Sequence, residues 1–238
     1  MTHYTSSGYA SMGTILEIWP PLYAILDIDC MLAPLAPGNR DTTAAINPSS
    51  ETELLAAVLE FASQLHDGGV RLLQYRAKRL PARSALAHAR ALRQTFPGLK
   101  LIMNDRADLC LAAGFDGVHV GQDDLWPEMV RGLIGSRIVG VSTHSPEQVA
   151  EASAGPADYV AIGPVFATGS KVNPDPVVGI EGVRRARRLT TKPLVAIGGI
   201  TLENCRKVLD AGADSVAIIS ALIENPRESA ERFLRALS

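Results

Sequence analysis

The sequence predicts an α/β fold, the (β/α)8 TIM barrel, and three observations carry this prediction. From about residue 22 to the end of the chain, short apolar stretches alternate with segments of helical periodicity. The apolar stretches lack polar alternation, which is typical of parallel strands covered on both faces. The chain has 238 residues with 47% hydrophobic content, enough for one barrel of typical size.

Each element follows from this alternation. Strands are predicted at 22–28, 70–75, 100–104, 117–120, 137–141, 158–162, 194–197 and 215–219. Helices are predicted at 50–66, 82–95, 107–113, 125–134, 146–154, 180–189, 202–211 and 226–237. Pro146 and Pro226 stand in the first turns of their helices, where proline is favoured. Thr201 is predicted to cap the helix that follows it.

Two segments fall outside the alternation. Residues 1–20 are predicted to be an N-terminal extension, and residues 21–238 a single catalytic domain. Residues 31–49 are rich in Pro, Gly and Asn and are long for a connection in a compact domain. Because this loop follows a barrel strand, it is either a lid over the catalytic face or a mobile surface insertion.

Composition excludes several classes of function. With 23 basic and 25 acidic residues and a pI near 6.2, the chain has no basic excess for nucleic acid. Three cysteines without a CxxC pattern argue against a disulfide framework or zinc site and favour a reducing cytoplasm. No apolar run is long enough for a membrane span, and no secretion signal is expected. We therefore expect a cytoplasmic protein with small-molecule partners, and homo-oligomerisation is left open.

Polar residues follow the predicted strands, at the face where barrels catalyse. Gln74, Arg76 and Lys78 alternate at the end of the second strand, so they point the same way. They form either an anion site or a solvated edge, and the position at a strand end favours the anion site.

Two carboxylates follow the next two strands. Asp105 and Asp124 suit Mg2+, which needs one or two carboxylates while water and substrate phosphate complete its shell. Alternatively, they cap the helices predicted from residues 107 and 125. His119 is predicted to be packed rather than to bind a metal, and Ser142 is a candidate hydroxyl donor.

The last strands predict a phosphate site. Gly198 and Gly199 allow close backbone approach to a ligand, and the Ile219-Ser220 segment offers further amides. A simple tight turn is the alternative for the glycines. The run Thr168-Gly169-Ser170-Lys171 after the sixth strand forms a compact oxyanion-binding loop. The residues thus predict two anion sites: a phosphate corner near the seventh and eighth strands, and an Arg/Lys/carboxylate cluster near the second to fourth strands that suits a diphosphate with a metal.

Six motifs together resemble the thiamine phosphate synthase family. They are QYRAK at 74–78, MNDRADL at 103–109, GVHVGQDDL at 117–125, GVSTH at 140–144, GPVFATGSK at 163–171 and the stretch 194–220. The resemblance covers roughly residues 20–238. Departures from the family pattern are Ala167, where Pro is frequent, Ser170, where Thr is frequent, and the long loop at 31–49.

The resemblance implies coupling of a pyrimidine methyl diphosphate with a thiazole ethyl phosphate, in a dissociative substitution assisted by Mg2+. Asp105 and Asp124 would hold the metal, and the catalytic residues would be Arg76, Lys78, Ser142 and Lys171. The implied contacts to the pyrimidine diphosphate are Gln74, Tyr75, Arg76, Ala77, Lys78, Asn104, Ser142 and Lys171. Those to the thiazole phosphate are Thr168, Gly169, Ser170, Gly199, Ile219 and Ser220. The alternatives are a thiazole tautomerase, which typically lacks an intact diphosphate cluster, and a non-catalytic phosphate-binding barrel.

Overall fold

The computed structural model describes residues 19–32, 48, 50–168 and 175–238. Its strands form a closed barrel, in which each strand pairs in parallel with the next and the last pairs with the first. The fold is therefore the predicted (β/α)8 barrel. Among the described residues, no helix combines the length and the apolar character that a membrane span requires.

Strands and helices alternate along the chain. The strands are β1 (Leu22–Asp27), β2 (Leu72–Arg76), β3 (Lys100–Asn104), β4 (Gly117–Val120), β5 (Ile138–Thr143), β6 (Tyr159–Ile162), β7 (Leu194–Ile197) and β8 (Ser215–Ile218). The helices are α1 (Ile28–Leu32), α2 (Glu51–Asp67), α3 (Ala82–Thr95), α4 (Ala107–Ala113), α5 (Pro127–Ile134), α6 (Pro146–Ala154), α7 (Gly179–Leu189), α8 (Cys205–Asp210) and α9 (Pro226–Leu237). A 3-10 turn at Ser220–Leu222 follows β8.

The strands bury both of their faces. Along β1, Tyr23 and Ile25 belong to the apolar cluster inside the barrel, together with Tyr159 of β6. Leu22 and Leu26 instead pack against the helices in the outer cluster. This arrangement explains why the strands read as continuous apolar runs. It also means that alternate residues near the end of a strand point towards the barrel mouth.

Most predicted boundaries agree with the structure to within two residues, but the cap at Thr201 is wrong. Asn204 is the N-cap of α8, which begins at Cys205. Asn204 Oδ1 accepts a hydrogen bond from the Thr201 amide at 2.8 Å, and the Cys205 amide donates to the Thr201 carbonyl at 2.9 Å. A separate turn therefore replaces the first turn of the predicted helix.

Two predictions concern residues that the structure largely leaves undescribed. Of the N-terminal extension at 1–20, Trp19 and Pro20 are described. Of the loop at 31–49, Met31 and Leu32 end α1, residue 48 is described, and the rest lies outside the described residues. The division into an extension and a catalytic domain therefore stays a prediction, and so does the role of the loop.

Candidate active site

The carboxyl ends of β2, β3, β4 and β5 lie side by side at one mouth of the barrel. Their register pairs Gln74 with Ile102 and Asn104 with His119. Ser142 of β5 lies one strand further, where Gly140 pairs with His119. The alternation of strands and helices thus brings the predicted polar residues to neighbouring strand ends.

Residues of β2 face opposite sides, as a strand requires. Gln74 Nε2 donates to the Tyr23 hydroxyl inside the barrel at 2.9 Å. The Tyr75 hydroxyl instead hydrogen-bonds His88 Nδ1 of α3 at 2.9 Å, and Ala77 packs against the outer apolar cluster. Because these two side chains lie on the helix side, a substrate contact at either position would use the backbone.

Arg76 forms an ion pair with Asp27 at the end of β1. The Asp27 side chain is completely buried, whereas 22% of the Arg76 side chain is exposed. Asp27 Oδ1 also accepts a hydrogen bond from the Cys30 amide at 3.2 Å, which fixes the carboxylate. A guanidinium carries five N–H donors in a rigid fork. The ion pair therefore orients Arg76 while leaving it donors for a second anion.

A second ion pair joins Lys78 to Asp105, which lies beside Asp124. Lys78 Nζ lies 3.1 Å from Asp105 Oδ2, and Asp124 Oδ2 accepts a hydrogen bond from the Gly121 amide at 2.7 Å. Burial raises the pKa of Asp105, a hydrogen bond to the Asp124 carboxyl raises it further, and Lys78 opposes the rise. Two carboxyl groups this close repel each other when both are ionised, so a cation between them is favoured.

The capping alternative for these carboxylates is wrong. The N-caps of α4 and α5 are Arg106 and Trp126, and neither makes a side-chain capping bond. Among the described residues, Asp105 is the one non-glycine residue with positive φ, at 60°. Such a backbone costs roughly 1–3 kcal/mol and is concentrated at functional sites. The geometry therefore favours a ligand-binding role.

Two carboxylates are enough protein ligands to hold Mg2+. Within the described ranges, no group of three or more His, Cys, Asp or Glu residues is arranged to hold a metal ion. Mg2+ differs from zinc in this respect, because water and substrate phosphate supply most of its six oxygens. The Asp105 and Asp124 pair thus fits Mg2+ bound together with a phosphorylated substrate.

A chain of hydrogen bonds crosses the barrel interior. The Tyr23 hydroxyl, which accepts from Gln74, lies 2.9 Å from the Tyr159 hydroxyl. The Tyr159 hydroxyl lies 2.8 Å from His119 Nδ1, and His119 Nε2 lies 2.8 Å from Ser142 Oγ. The chain therefore links Gln74 and Ser142, two of the predicted site residues, through three buried side chains.

Burial keeps this chain electrically neutral. It lowers the pKa of His119 to about 4, with a small opposing effect of Asp124, and it raises the pKa of Tyr159. The imidazole is therefore uncharged at neutral pH, and the prediction of a packed histidine is confirmed. Gly140 of β5 makes room for the network, because a Cβ there would overlap the Tyr159 ring.

Glycines form the turn after β7 on the other side of the mouth. Gly198 and Gly199 have φ values of 100° and 63°. A Cβ at Gly199 would lie 2.7 Å from Phe166 Cβ, so both backbone and packing require glycine here. The Phe166 amide donates to the Gly198 carbonyl at 3.0 Å, which ties the loop after β6 to this turn.

The other predicted phosphate contacts surround this turn. Ile219 and Ser220 lie where the 3-10 turn begins after β8. In the part of the chain that the structure describes, no group accepts a hydrogen bond from the Gly199 amide. Thr168 is half-buried beside this region, whereas Gly169, Ser170 and Lys171 lie outside the described residues. The described residues thus place main-chain amides from two neighbouring loops at one corner.

Sequence reasoning missed two features of the mouth. Asp27 was visible as an acidic residue at a strand end, but its pairing with Arg76 depends on the register between β1 and β2. Tyr23 and Tyr159 looked like ordinary apolar strand residues, because nothing in the pattern shows that their hydroxyls meet across the barrel.

Known proteins resemble this chain over most of its length. A family model described as thiamine monophosphate synthase matches residues 44–222. The thiamine-phosphate synthase of Koribacter versatilis is 54% identical over 220 residues, which cover 92% of this chain and 96% of that protein. The thiamine-phosphate synthase of Chloroflexus aurantiacus is 42% identical over 173 residues, 71% of this chain and 80% of that protein. A solved thiamine phosphate pyrophosphorylase from Pyrococcus furiosus superposes with a TM-score of 0.75 at 30% identity, covering 92% and 95% of the two chains.

Proposed function

Because the chain belongs to the thiamine monophosphate synthase family, we propose that it couples 4-amino-2-methyl-5-(diphosphooxymethyl)pyrimidine with a thiazole ethyl phosphate. The products are thiamine phosphate and diphosphate, with carbon dioxide when the thiazole carries a carboxylate. The chain is a transferase, as its named relatives are. Those relatives are called synthases, which supports coupling over tautomerisation.

One observation carries the proposal: a charged cluster and a glycine corner lie at the same mouth of the barrel. The charged cluster consists of the Arg76–Asp27 and Lys78–Asp105 pairs with Asp124. The glycine corner consists of the Gly198-Gly199 turn and the Ile219-Ser220 segment. Coupling requires a diphosphate and a monophosphate to bind side by side. The charged cluster, with its cationic side chains and carboxylates, suits the diphosphate, and the uncharged amides of the glycine corner suit the monophosphate.

The charged cluster would bind the diphosphate that leaves. Arg76, Lys78 and Lys171 would neutralise its oxygens while the methylene C–O bond breaks and the electron pair departs with diphosphate. Asn104 and Ser142 would hydrogen-bond the same substrate and hold its methylene near the acceptor. Fixed charges directed at a developing charge cost no reorganisation during the reaction, and losing one such contact raises the barrier by about 3–4 kcal/mol.

Mg2+ would complete this cluster. Asp105 and Asp124 would hold it, and when bound it supplies positive charge to the diphosphate oxygens. Lys78, which contacts Asp105, would then be available to the diphosphate, because the Asp105 carboxylate would be neutralised by the bound cation.

The glycine corner would hold the acceptor. Main-chain amides at Gly199 and Ser220, with Thr168, Gly169, Ser170 and Ile219, would bind the thiazole phosphate. This contact would direct the thiazole nitrogen at the methylene carbon, where it forms the new C–N bond. Positioning of this kind replaces a strong base or a covalent nucleophile.

The neutral interior chain would support the cationic intermediate. His119 hydrogen-bonds Ser142 and is uncharged at neutral pH. A charged imidazole beside Ser142 would repel a methylene cation, so the low pKa of His119 suits this chemistry.

The test is an assay of diphosphate release with each substrate omitted in turn. We expect thiamine phosphate and diphosphate in equal amounts when both substrates and Mg2+ are present, and no thiamine phosphate without either substrate. Rearrangement of a thiazole phosphate isomer without coupling would indicate a tautomerase. Binding of both phosphates without turnover would indicate a non-catalytic barrel.

A further inference from the structure

Helix α5 carries an apolar surface that nothing in the described chain covers. Val130 and Ile134 of this helix are buried against the barrel, with exposed fractions of 0% and 1%. A second set of apolar side chains stays exposed: 72% of Trp126, 56% of Met129 and 55% of Leu133. The α5 patch, as we call it, comprises Leu125, Trp126, Met129 and Leu133.

The members of the patch lie close together in the chain. Met129 and Leu133 have the i, i+4 spacing that places side chains on one face of α5, and Trp126 is the N-cap residue directly before this helix. Leu125 directly precedes Trp126 and is 41% exposed. Among the described residues, these four account for most of the exposed large hydrophobic side chains, the others being Leu111, Val177 and Leu189. Single exposed leucines are ordinary, but a cluster around an exposed tryptophan marks an interaction surface.

We propose that the α5 patch is the centre of a two-fold interface between two copies of this chain. Its exposed apolar area, on the order of 450 Å² from the exposed fractions, matches the apolar part of a standard interface of about 800 Å² per partner. The area is thus sufficient for a stable dimer once polar neighbours are added.

The chemistry of the patch also fits a second copy. In a two-fold interface the side chains next to the axis meet their own counterparts, so like charges at the centre would repel each other. The patch has no charged member, and Gly132 beside it presents no side chain that would keep a partner helix away. Trp and Met are enriched at interface centres, where tryptophan often contributes most of the binding energy.

The first measurement is the molar mass of the purified full-length protein by sedimentation equilibrium over a range of concentrations. We expect a dimer, and self-association about a hundredfold weaker in Met129→Glu, because the interface would bury an unpaired charge. Leu189→Glu is the matched control, since Leu189 is an exposed leucine on α7 outside the patch; it should leave the dimer intact. Leu133→Lys provides a second disruptive variant if Met129→Glu fails to fold.

A monomer at all concentrations would overturn the proposal. This is the result expected if another segment of the chain or a different protein covers the patch. A dimer that survives both Met129→Glu and Leu133→Lys would also overturn it.

Tryptophan emission locates the contact within a dimer. The chain contains two tryptophans, Trp19 and Trp126, and Trp19 packs on Tyr159 with ring centroids 4.8 Å apart. Dilution across the dissociation range should shift the emission to longer wavelength, and Trp126→Phe should abolish this shift. A dimer whose dissociation leaves the emission unchanged would place the interface elsewhere and contradict the proposal.

Discussion

In the proposed function, the charged cluster and the glycine corner would recognise anions in different ways. The charged cluster would act through side-chain charges, in which Arg76 pairs with Asp27 and Lys78 with Asp105. Gly198 and Gly199 would act through backbone conformation, because their positive φ values and close neighbours leave no room for a Cβ. The first region would therefore respond to charge, metal and pH, whereas the second would respond to the volume of a single methyl group.

Among the substitutions, removal of the Arg76 guanidinium should reduce activity most, because it takes a positive charge out of the charged cluster. For Arg76→Gln we expect kcat to fall about a thousandfold, because a fixed charge on the leaving group is lost. Leaving Asp27 buried without its partner should also lower the free energy of unfolding by about 3 kcal/mol. Steady-state kinetics and urea unfolding measure the two effects.

Two further variants separate catalysis from folding. Arg79→Gln is the matched control, since its side chain is 81% exposed and lies 3.9 Å from Asp29; it should retain full activity and stability. Asp27→Asn combined with Arg76→Gln should recover stability but not activity. Recovery of both would mean that Arg76 serves the fold alone.

Removal of Mg2+ should stop product formation while leaving the glycine corner intact. In EDTA we expect no diphosphate release, because the charges of Asp105 and Asp124 would then oppose the diphosphate. Thiazole phosphate should still bind, as measured by calorimetry. Full turnover in EDTA would remove the two carboxylates from a metal-binding role.

A methyl group at Gly199 should impair the glycine corner and leave the charged cluster intact. Gly199→Ala should raise KM for the thiazole phosphate at least about tenfold, since the new Cβ would displace Phe166 or the turn. The KM for the pyrimidine diphosphate should change little. Gly135→Ala is the matched control: its φ is 64° and nothing lies within 4 Å of its added Cβ. Gly135→Ala should lose about 1 kcal/mol of stability because of its positive φ, and Gly199→Ala should lose more, because its Cβ would also overlap Phe166. An equal KM change in both variants would refute the assignment.

The smallest effect concerns the pH dependence of stability. Because the pKa of Asp105 is raised in the folded state, its contribution to stability is complete below the unfolded pKa of about 3.9. This contribution is lost as pH rises through the folded pKa. Without Mg2+, Asp105→Asn should therefore gain stability relative to the wild type at pH 7, compared with pH 3.5.

Thermal unfolding in EDTA across this pH range measures the gain. Asparagine also tolerates a positive φ better than most residues, which could add stability at every pH. The effect of the Asp105 charge is therefore the stability gain at pH 7 minus the gain at pH 3.5. Asp108→Asn is the control, because Arg106 lowers the pKa of Asp108 and its substitution should give no gain at pH 7. A pH-independent difference would show that Asp105 ionises without cost.

The sequence predicted the elements that depend on local pattern. Apolar runs without alternation located all eight strands, and polar residues at their ends located Arg76, Asp105 and Asp124. The sequence pattern did not predict contacts that depend on strand register. The Arg76–Asp27 pair and the hydroxyl contact between Tyr23 and Tyr159 join strands that are far apart in the chain.

Local turn chemistry explains the remaining differences. Asp124 and Thr201 are good capping residues by type, but α5 begins at Pro127 and a turn held by Asn204 precedes α8. Residue type therefore predicted that each helix is present more accurately than it predicted where the helix begins. The first residue of a helix depends on the hydrogen bonds made by the amides of the preceding turn.

Calorimetric titration of each substrate alone into Arg76→Gln and Gly199→Ala shows whether the charged cluster and the glycine corner bind separate anions. We expect a crossed result: Arg76→Gln loses affinity for the pyrimidine diphosphate and keeps its affinity for the thiazole phosphate, and Gly199→Ala does the reverse. If each variant weakens the binding of both ligands equally, the charged cluster and the glycine corner do not bind separate anions.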